Sequence, residues 1–407
     1  MANVLAMVLA GGEGTRLHPL TIDRAKPAVP FGGRYRIIDF VLSNLINSGF
    51  FRIKVLTQFK SNSLIRHISM AWQLSAHLGH YVDVVPAQMQ VGRFWYRGTA
   101  DAVFQNLNLI RDENPNEILI FGGDHIYKMN IRQMLEFHRE KNADLTVAAI
   151  PVPLAEASNF GIIEVDEDWR MVGFEEKPAN PKSMPGDPGR ALASMGNYIF
   201  NRDPLAQEIS QDAQLETGHD FGRNIIPGML GRYRISVYDF SRNEIPGMEE
   251  TERGYWRDVG DLDSYFQANM DLASVSPHLN LYNYQWPVRS FYPAYPPAKF
   301  VFAGGEAERI GIATDSVVAE GCIISGGRIN RCILFPRVRI NSYAWVTDSI
   351  LMEGVEVGRH CQIQRAIIDK EVDVPAGIRI GFDRNADEAR FQVSDKGIVV
   401  IPKNYRF

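Results

Sequence analysis

Over the first 150 residues, short apolar runs alternate with stretches whose apolar side chains recur every three or four positions. Residues 5–10, Ile53–Thr57, Tyr81–Val85, Glu117–Phe121 and Leu145–Ile150 read as strands, each too short for a helix and closed by glycine, proline or polar residues. Between them, residues 36–46 read as a helix ending near Gly49, and Ser61 can cap a stripe of Leu64, Ile65, Ile68 and Trp72. Thr99 starts a further helix through Val103, Leu107 and Ile110, and Ile131, Met134, Leu135 and His138 mark another. This βα repetition predicts an α/β fold: a doubly wound, mostly parallel, Rossmann-like sheet with ligands beyond the carboxyl ends of its strands.

From Gly161 the rhythm changes to short strands at 162–165, 171–174, 194–200 and 235–240, which predict an antiparallel extension covering one side of the sheet. A helix led by Asp261 or Asp263, with Tyr265, Phe266 and Leu272, closes this part. Residues 276–298 gather Pro277, Pro287, Pro293, Pro296 and Pro297 among aromatic residues and read as a linker on the surface. Beyond it Val317, Ile323, Ile329 and Phe335 recur every six residues, as do Ile340, Val346 and Met352, then Val357 and Ile363, then Val374 and Ile380. A six-residue apolar period is a hexapeptide β-helix signature, in which stacked coils bury what no single coil can. Phase slips separate the runs. The expected organisation is an α/β domain at 1–275, a linker at 276–300 and a left-handed parallel β-helix at 301–407.

The length of 407 residues supports more than one core, and 45% hydrophobic with 22% charged residues is ordinary for a soluble chain. A net charge of -5 argues against a nucleic-acid partner, which needs a basic face. No apolar run is long enough to span a membrane, and the apolar start lacks the basic region of a secretory signal. Only Cys322, Cys332 and Cys361 occur, without zinc or disulfide spacing, so a reduced cytoplasmic setting is expected.

The candidate chemistry begins where the first strand meets Gly11, Gly12 and Gly14. Glycines at a strand end let backbone N–H groups approach a ligand that side chains would exclude. The stretch lacks the Lys-Ser or Lys-Thr of a P-loop and the acidic second strand of a dinucleotide fold. Arg16 and Lys26 beside this loop suit a polyphosphate. Asp124 follows two glycines at a strand end and could be a simple turn aspartate; Asp258 could be a buried partner of Arg257. Together with a phosphate loop they suggest a Mg²⁺ site, since Mg²⁺ takes one or two carboxylates and completes its shell with substrate phosphate and water. Lys177, beside Glu175 and Glu176, could be a surface ion pair or a positioned cation, and Thr99 could be plain capping.

The segments 9–17 (LAGGEGTRL), 25–29 (AKPAV), 31–40 (FGGRYRIIDF), 95–102 (WYRGTADA), 123–127 (GDHIY), 176–178 (EKP), 194–196 (SMG) and 255–260 (YWRDVG) resemble bacterial glucose-1-phosphate adenylyltransferases, also called ADP-glucose pyrophosphorylases. The likeness runs from residue 5 to near the C-terminus. The glycine loop and Glu-Lys-Pro are shared by sugar nucleotidyltransferases at large, whereas segments 95–102 and 123–127 mark the adenylyl branch.

The resemblance implies that Gly11, Gly12, Gly14 and Thr15 face the nucleotide while Arg16 and Lys26 hold its phosphates. Gln88 would lie near the base, and Gly98 and Thr99 would border the nucleotide pocket. Glu176, Lys177 and Ser194 would hold glucose 1-phosphate, with Tyr96 and Gly161 lining the sugar side, and Asp124 and Asp258 would hold Mg²⁺. It further implies attack of glucose 1-phosphate on the α-phosphorus of ATP, a homotetramer, small anionic effectors and a role in supplying glycogen precursor. Three departures stand out: Glu13 replaces an arginine of many relatives, Arg34 stands where some carry an activator-binding lysine, and Gln362 and Gln364 replace arginines. Arg34 and Arg36 are the expected effector residues. The rival readings are a sugar nucleotidyltransferase using UTP, dTTP or GTP, a non-catalytic regulatory relative, and a hexapeptide acyltransferase with His360 as base.

Overall fold

The computed structural model describes residues 3–291, 293–302 and 309–407. Residues 1, 2, 292 and 303–308, which fall within the expected domain and linker spans, lie outside the described residues. Strands Tyr81–Pro86, Arg52–Thr57, Val4–Ala10 and Glu117–Gly122 lie side by side in that order, all parallel. Along Val4–Ala10 the side chains alternate between two cores: Val4, Ala6 and Val8 belong to one, Leu5 and Met7 to the other. Helical residues cover both faces, Val41, Leu45, Leu64 and Met134 on the first and Val103, Ile110 and Leu205 on the second. A strand sandwiched this way is apolar throughout, which is why its sequence shows a run and no alternation.

The chain passes from Val4–Ala10 outward to Arg52–Thr57 and Tyr81–Pro86, then returns to set Glu117–Gly122 on the other side of the first strand. Such a reversal leaves a crevice at the carboxyl ends of the two central strands. The glycine loop at 11–14 and Gly122-Gly123-Asp124 both start there, tied by the Gly123 N–H, which donates to the Leu9 carbonyl at 2.9 Å.

The antiparallel extension is present in part: it continues the sheet at its edge and does not cover a face, and the strand expected at 235–240, Ile235–Asp239, pairs parallel with Leu145–Pro153. Arg190–Asn201 pairs with Glu117–Gly122, Leu145–Pro153 and Gly161–Val165, and the last pairs with Met171–Glu176. Helices already occupy both faces, so the open edge is where unpaired backbone groups find partners. A separate two-stranded ribbon pairs His125–Tyr127 with Trp256–Asp258, setting Asp258 opposite His125.

Several local expectations shift. The glycine loop runs into a single 3-10 turn, Thr15–Leu17. The helix expected from Thr99 through Ile110 is two, Thr99–Phe104 and Leu107–Glu113, and its N-cap is Gly98, not Thr99. Ser61 precedes helix Asn62–Ala71 without a capping bond from its side chain. Asp261 does cap helix Leu262–Asp271, accepting from the Ser264 N–H at 2.8 Å.

The proline-rich stretch is no loose surface linker. Leu279, Trp286 and Val288 are buried, and the chain runs along helix Ile37–Asn47. Asn47 donates to the Pro287 carbonyl at 2.9 Å, Ser43 accepts from the Arg289 N–H at 2.8 Å, and Ser290 donates to Asp39 at 2.6 Å. Its aromatic and apolar residues find a groove, and side chains of the helix satisfy the backbone that prolines leave unpaired.

In the C-terminal part, parallel rungs stack in register, Arg328 beside Trp345, Gln362 beside it, and Arg379 beyond. Three columns of left-handed residues turn the corners: Gly326, Tyr343, His360 and Gly377; Arg331, Asp348 and Arg365; Gly321, Arg337, Gly354 and Glu371. The columns repeat every 17 positions, save 16 from Gly321 to Arg337, so the sides of a coil are five, six and six residues long, and five, five and six in that first coil. The phase slips seen in the sequence have another cause: the five-residue sides run Tyr343–Asp348 and His360–Arg365, whereas Phe335 and Met352 face the α/β domain and the inward residues beside them are Leu334 and Leu351. At non-glycine corners stacking and ion pairing offset a backbone cost of about 1 kcal/mol: Tyr343 stacks on His360 at 4.9 Å, and Arg331 pairs with Asp348 at 2.7 Å. Ile333, Ile350, Met352, Ile367 and Val400 of the β-helix join Leu17, Leu20, Phe31, Tyr265 and Phe266 in one buried cluster.

Candidate active site

The crevice opens into a cavity of about 760 Å³. It takes in Gly11, Gly12, Gly14, Thr15, Arg16, Lys26, Tyr96, Gly98, Thr99, Asp124, Gly161, Glu176, Lys177, Ser194 and Asp258. Of the residues expected at the substrates, Gln88 alone does not line it.

Two glycines explain its shape. Gly14 has φ +67°, and a Cβ there would also press on the Lys26 side chain at 3.0 Å, so the loop and the lysine stem fit only without one. Gly98 touches the opposite wall: a Cβ would lie 2.2 Å from the Gly218 carbonyl oxygen. The same contact brings Thr99 to Asp220, to which its hydroxyl donates at 2.9 Å. Thr99 is therefore a wall tie between two distant segments, and helix capping falls to the preceding residue.

At the centre, Lys26 Nζ donates to Asp124 Oδ2 at 2.8 Å and to Asp258 Oδ1 at 3.0 Å. Asp258 does not pair with Arg257, and Asp124 is not satisfied by its own turn alone. Burial disfavours the Lys26 ammonium, but Asp124 and Asp258 outweigh it and hold its pKa above the ordinary lysine value. Burial likewise works against the Asp124 charge; the Lys26 ammonium, then His125, reverse this and hold the carboxyl well below the usual range. Asp124, His125 and Asp258 each present a donor atom within 4.8 Å of the others. His125 Nε2 lies 3.6 Å from Asp124 Oδ1, and its Nδ1 is buried without a partner. Two carboxylates, an imidazole and open cavity beside them fit a divalent ion that keeps part of its shell for phosphate and water.

Farther along, Glu176 and Lys177 end strand Met171–Glu176, and Lys177 takes a left-handed backbone (φ +51°) with its N–H on the Phe160 carbonyl at 3.0 Å. Burial and then the nearby Asp220 raise the Glu176 carboxyl pKa against the pull of Lys177 and Arg223. Arg16 rests against Gly260, where a Cβ would stand 3.1 Å from its Nη2.

Family-level matches run the length of the chain. Residues 5–275 match the nucleotidyl transferase family, and residues 296–401 match the GlmU-like C-terminal hexapeptide family. A glucose-1-phosphate adenylyltransferase of Anaeromyxobacter sp. (strain Fw109-5) is 61% identical over 100% of this chain and 99% of its own. The chain belongs to the glucose-1-phosphate adenylyltransferase family. Others so named are 59% identical in Anaeromyxobacter dehalogenans (strain 2CP-C) and 51% in Aliivibrio fischeri (strain ATCC 700601 / ES114), each over 100% of this chain and 99% of the relative.

Against the adenylyltransferase motifs, the cavity adds side chains that sequence reasoning passed over: Gln58, Tyr198, Asp220, Phe221 and Arg223. Only Asp220 left a readable trace, as an acidic residue capping an apolar turn, with its carboxylate accepting from the Arg223 N–H at 3.0 Å. The effector candidates Arg34 and Arg36 sit elsewhere, in a smaller cavity of about 90 Å³ against the β-helix, with Glu320, Glu353 and Lys370. There Arg34 pairs with Glu320 at 2.8 Å, and Arg36 donates to the Ser63 hydroxyl at 2.8 Å.

Proposed function

We propose that the large cavity aligns glucose 1-phosphate with the α-phosphorus of ATP, and that Asp124 and Asp258 hold Mg²⁺ beside them. The reaction of the family yields ADP-glucose and pyrophosphate, and the convergence of Arg16, Lys26, Asp124, Lys177 and Asp258 on one cavity carries its assignment here. Gly11, Gly12, Gly14 and Thr15 bind the nucleotide through backbone N–H groups, with Gly98 and Thr99 as the facing wall. Glu176, Lys177 and Ser194 bind the sugar phosphate, with Tyr96 and Gly161 shaping that end. Gln88 is left without a role at the base.

A sugar phosphate with a second pKa near ~6 is already largely dianionic at neutral pH, so no side chain must remove a proton. The obstacle is anion meeting anion, roughly 4 kcal/mol per pair of unit charges at about 4 Å and an effective dielectric of 20. Arg16 and Lys26 offset it on the triphosphate, and Lys177 on the attacking phosphate, by fixed position and charge. Bound Mg²⁺ supplies Lewis-acid stabilisation of charge on the α-phosphoryl and leaving groups. Pyrophosphate release from glucose 1-phosphate, assayed with ATP, UTP, dTTP and GTP in turn, tests the reading; a nucleotide other than ATP as best substrate would refute it.

We also infer that small anionic effectors bind at Arg34 and Arg36. Burial, and then the neighbouring cations Arg36 and Arg24, hold the Lys370 pKa down despite Glu353, a crowding that an anion would relieve. A homotetramer in the cytoplasm, supplying glycogen precursor, follows from the family likeness. Exposed Phe300, Tyr343 and Trp345 on the β-helix supply apolar surface for contact between subunits.

A further inference from the structure

We infer that Lys26 is an internal counter-cation for Asp124 and Asp258 that gives up its place to the divalent ion and then turns to the substrate phosphates. This rests on the metal and phosphate assignments proposed above. The ammonium stands 2.8 Å from one carboxylate and 3.0 Å from the other, where the two can share a cation. Mg²⁺ binds carboxylate oxygen at about 2.0–2.1 Å, and a divalent ion on the oxygens that Lys26 now holds would stand a few ångström from the ammonium, where repulsion between the two cations drives one of them away. One positive charge against two negative ones leaves the trio with a deficit, and a divalent ion closes it.

The surroundings restrict the exchange to the side chain. Ala25, Pro27 and Ala28 on either side are buried, and the stem of Lys26 packs where Gly14 lacks a Cβ. Nζ is therefore free to move only by rotation of its methylene chain, into the cavity that also holds Arg16 and the glycine loop. A compact ammonium on a four-carbon stem suits that swing, whereas the planar fork of arginine would lock onto the carboxylates. His125 beside Asp124 and Arg16 near Asp258 are further basic groups here, and among the described residues neither bridges the two aspartates.

The test uses the intact protein and Mn²⁺ as probe, with free ion counted by electron paramagnetic resonance. Without nucleotide, Lys26→Gln is expected to bind Mn²⁺ about tenfold tighter than wild type, because the internal competitor is gone. Lys26→Arg is expected to bind no tighter than wild type. A non-hydrolysable ATP analogue should strengthen Mn²⁺ binding more in wild type than in Lys26→Gln. Should the variant fold poorly, the rate of reductive methylation of Lys26 in wild type serves instead: Mg²⁺ alone should raise it relative to the other lysines. Equal or weaker Mn²⁺ binding by Lys26→Gln, or a methylation rate indifferent to Mg²⁺, overturns the exchange. If Asp124→Asn and Asp258→Asn leave Mn²⁺ binding untouched, the metal assignment itself fails; if they abolish it while Lys26→Gln changes nothing, only the exchange does.

Discussion

Arg24 and Asp369, 345 positions apart, meet in a buried two-point ion pair: Nη1 to Oδ1 at 3.0 Å and Nη2 to Oδ2 at 2.9 Å. Arg24 lies two residues before Lys26, and Asp369 lies on the β-helix beside Lys370, whose N–H it also accepts at 2.7 Å. Lys26 is thus anchored through its own segment to the C-terminal domain. Removing one partner of a buried pair leaves the other charge uncompensated, at a cost of about 3–5 kcal/mol. Asp369→Ala should therefore lower stability by about 3 kcal/mol in a denaturant titration and reduce turnover with it. Wild-type stability in that variant would mean that the pair contributes nothing.

Asp124→Asn should lower turnover by about 100-fold or more while changing glucose 1-phosphate affinity little, since the carboxylate is proposed to hold the Mg²⁺ that stabilises transition-state charge. Steady-state kinetics with each substrate varied separate the two effects. Equal losses in kcat and affinity would make Asp124 a structural residue.

Lys177→Ala should act in the opposite sense. Loss of a charge-assisted hydrogen bond worth about 1.5–3 kcal/mol predicts a 10- to 100-fold weaker apparent affinity for glucose 1-phosphate, with ATP affinity nearly unchanged. An unaltered sugar-phosphate affinity would remove Lys177 from the site.

Gly98→Ala should impair the enzyme without touching a charge. The added methyl would overlap the carbonyl of Gly218, pushing apart the wall that Thr99 and Asp220 tie together. The expected result is a loss of at least 10-fold in kcat/KM for ATP, about 1.4 kcal/mol; wild-type kinetics would show that the wall yields freely.

The double variant Arg34→Ala, Arg36→Ala should keep basal turnover and lose its response to anionic effectors. A panel of glycolytic intermediates assayed against wild type measures it. An effector response equal to that of wild type would place the regulatory site elsewhere.

Local order was legible in the chain wherever a residue's surroundings repeat along it. The apolar runs at 53–57 and 117–121 gave strands, and the six-residue period gave the β-helix, although the slips at Phe335–Ile340 and Met352–Val357 arose because Phe335 and Met352 face the α/β domain and not the interior of the coil. The glycine loop and the carboxylates at 124 and 258 stood out as candidates because few residue types suit phosphate and metal, and one cavity brings them together. What failed were statements about neighbours in space. Thr99 looked like a cap until Asp220 stood beside it, and the proline-rich stretch looked like a linker until Ser43 and Asn47 held it.

By itself the sequence determined which elements form and which side chains are chemically able, because propensity, period and ionisable groups are properties of a few adjacent residues. Only the tertiary structure decided that Lys26 sits between Asp124 and Asp258, that Asp220 joins the wall, and that Arg24 reaches Asp369. Those pairings come from strand order and from the His125–Asp258 ribbon, and contacts across more than a hundred residues leave no local pattern to read.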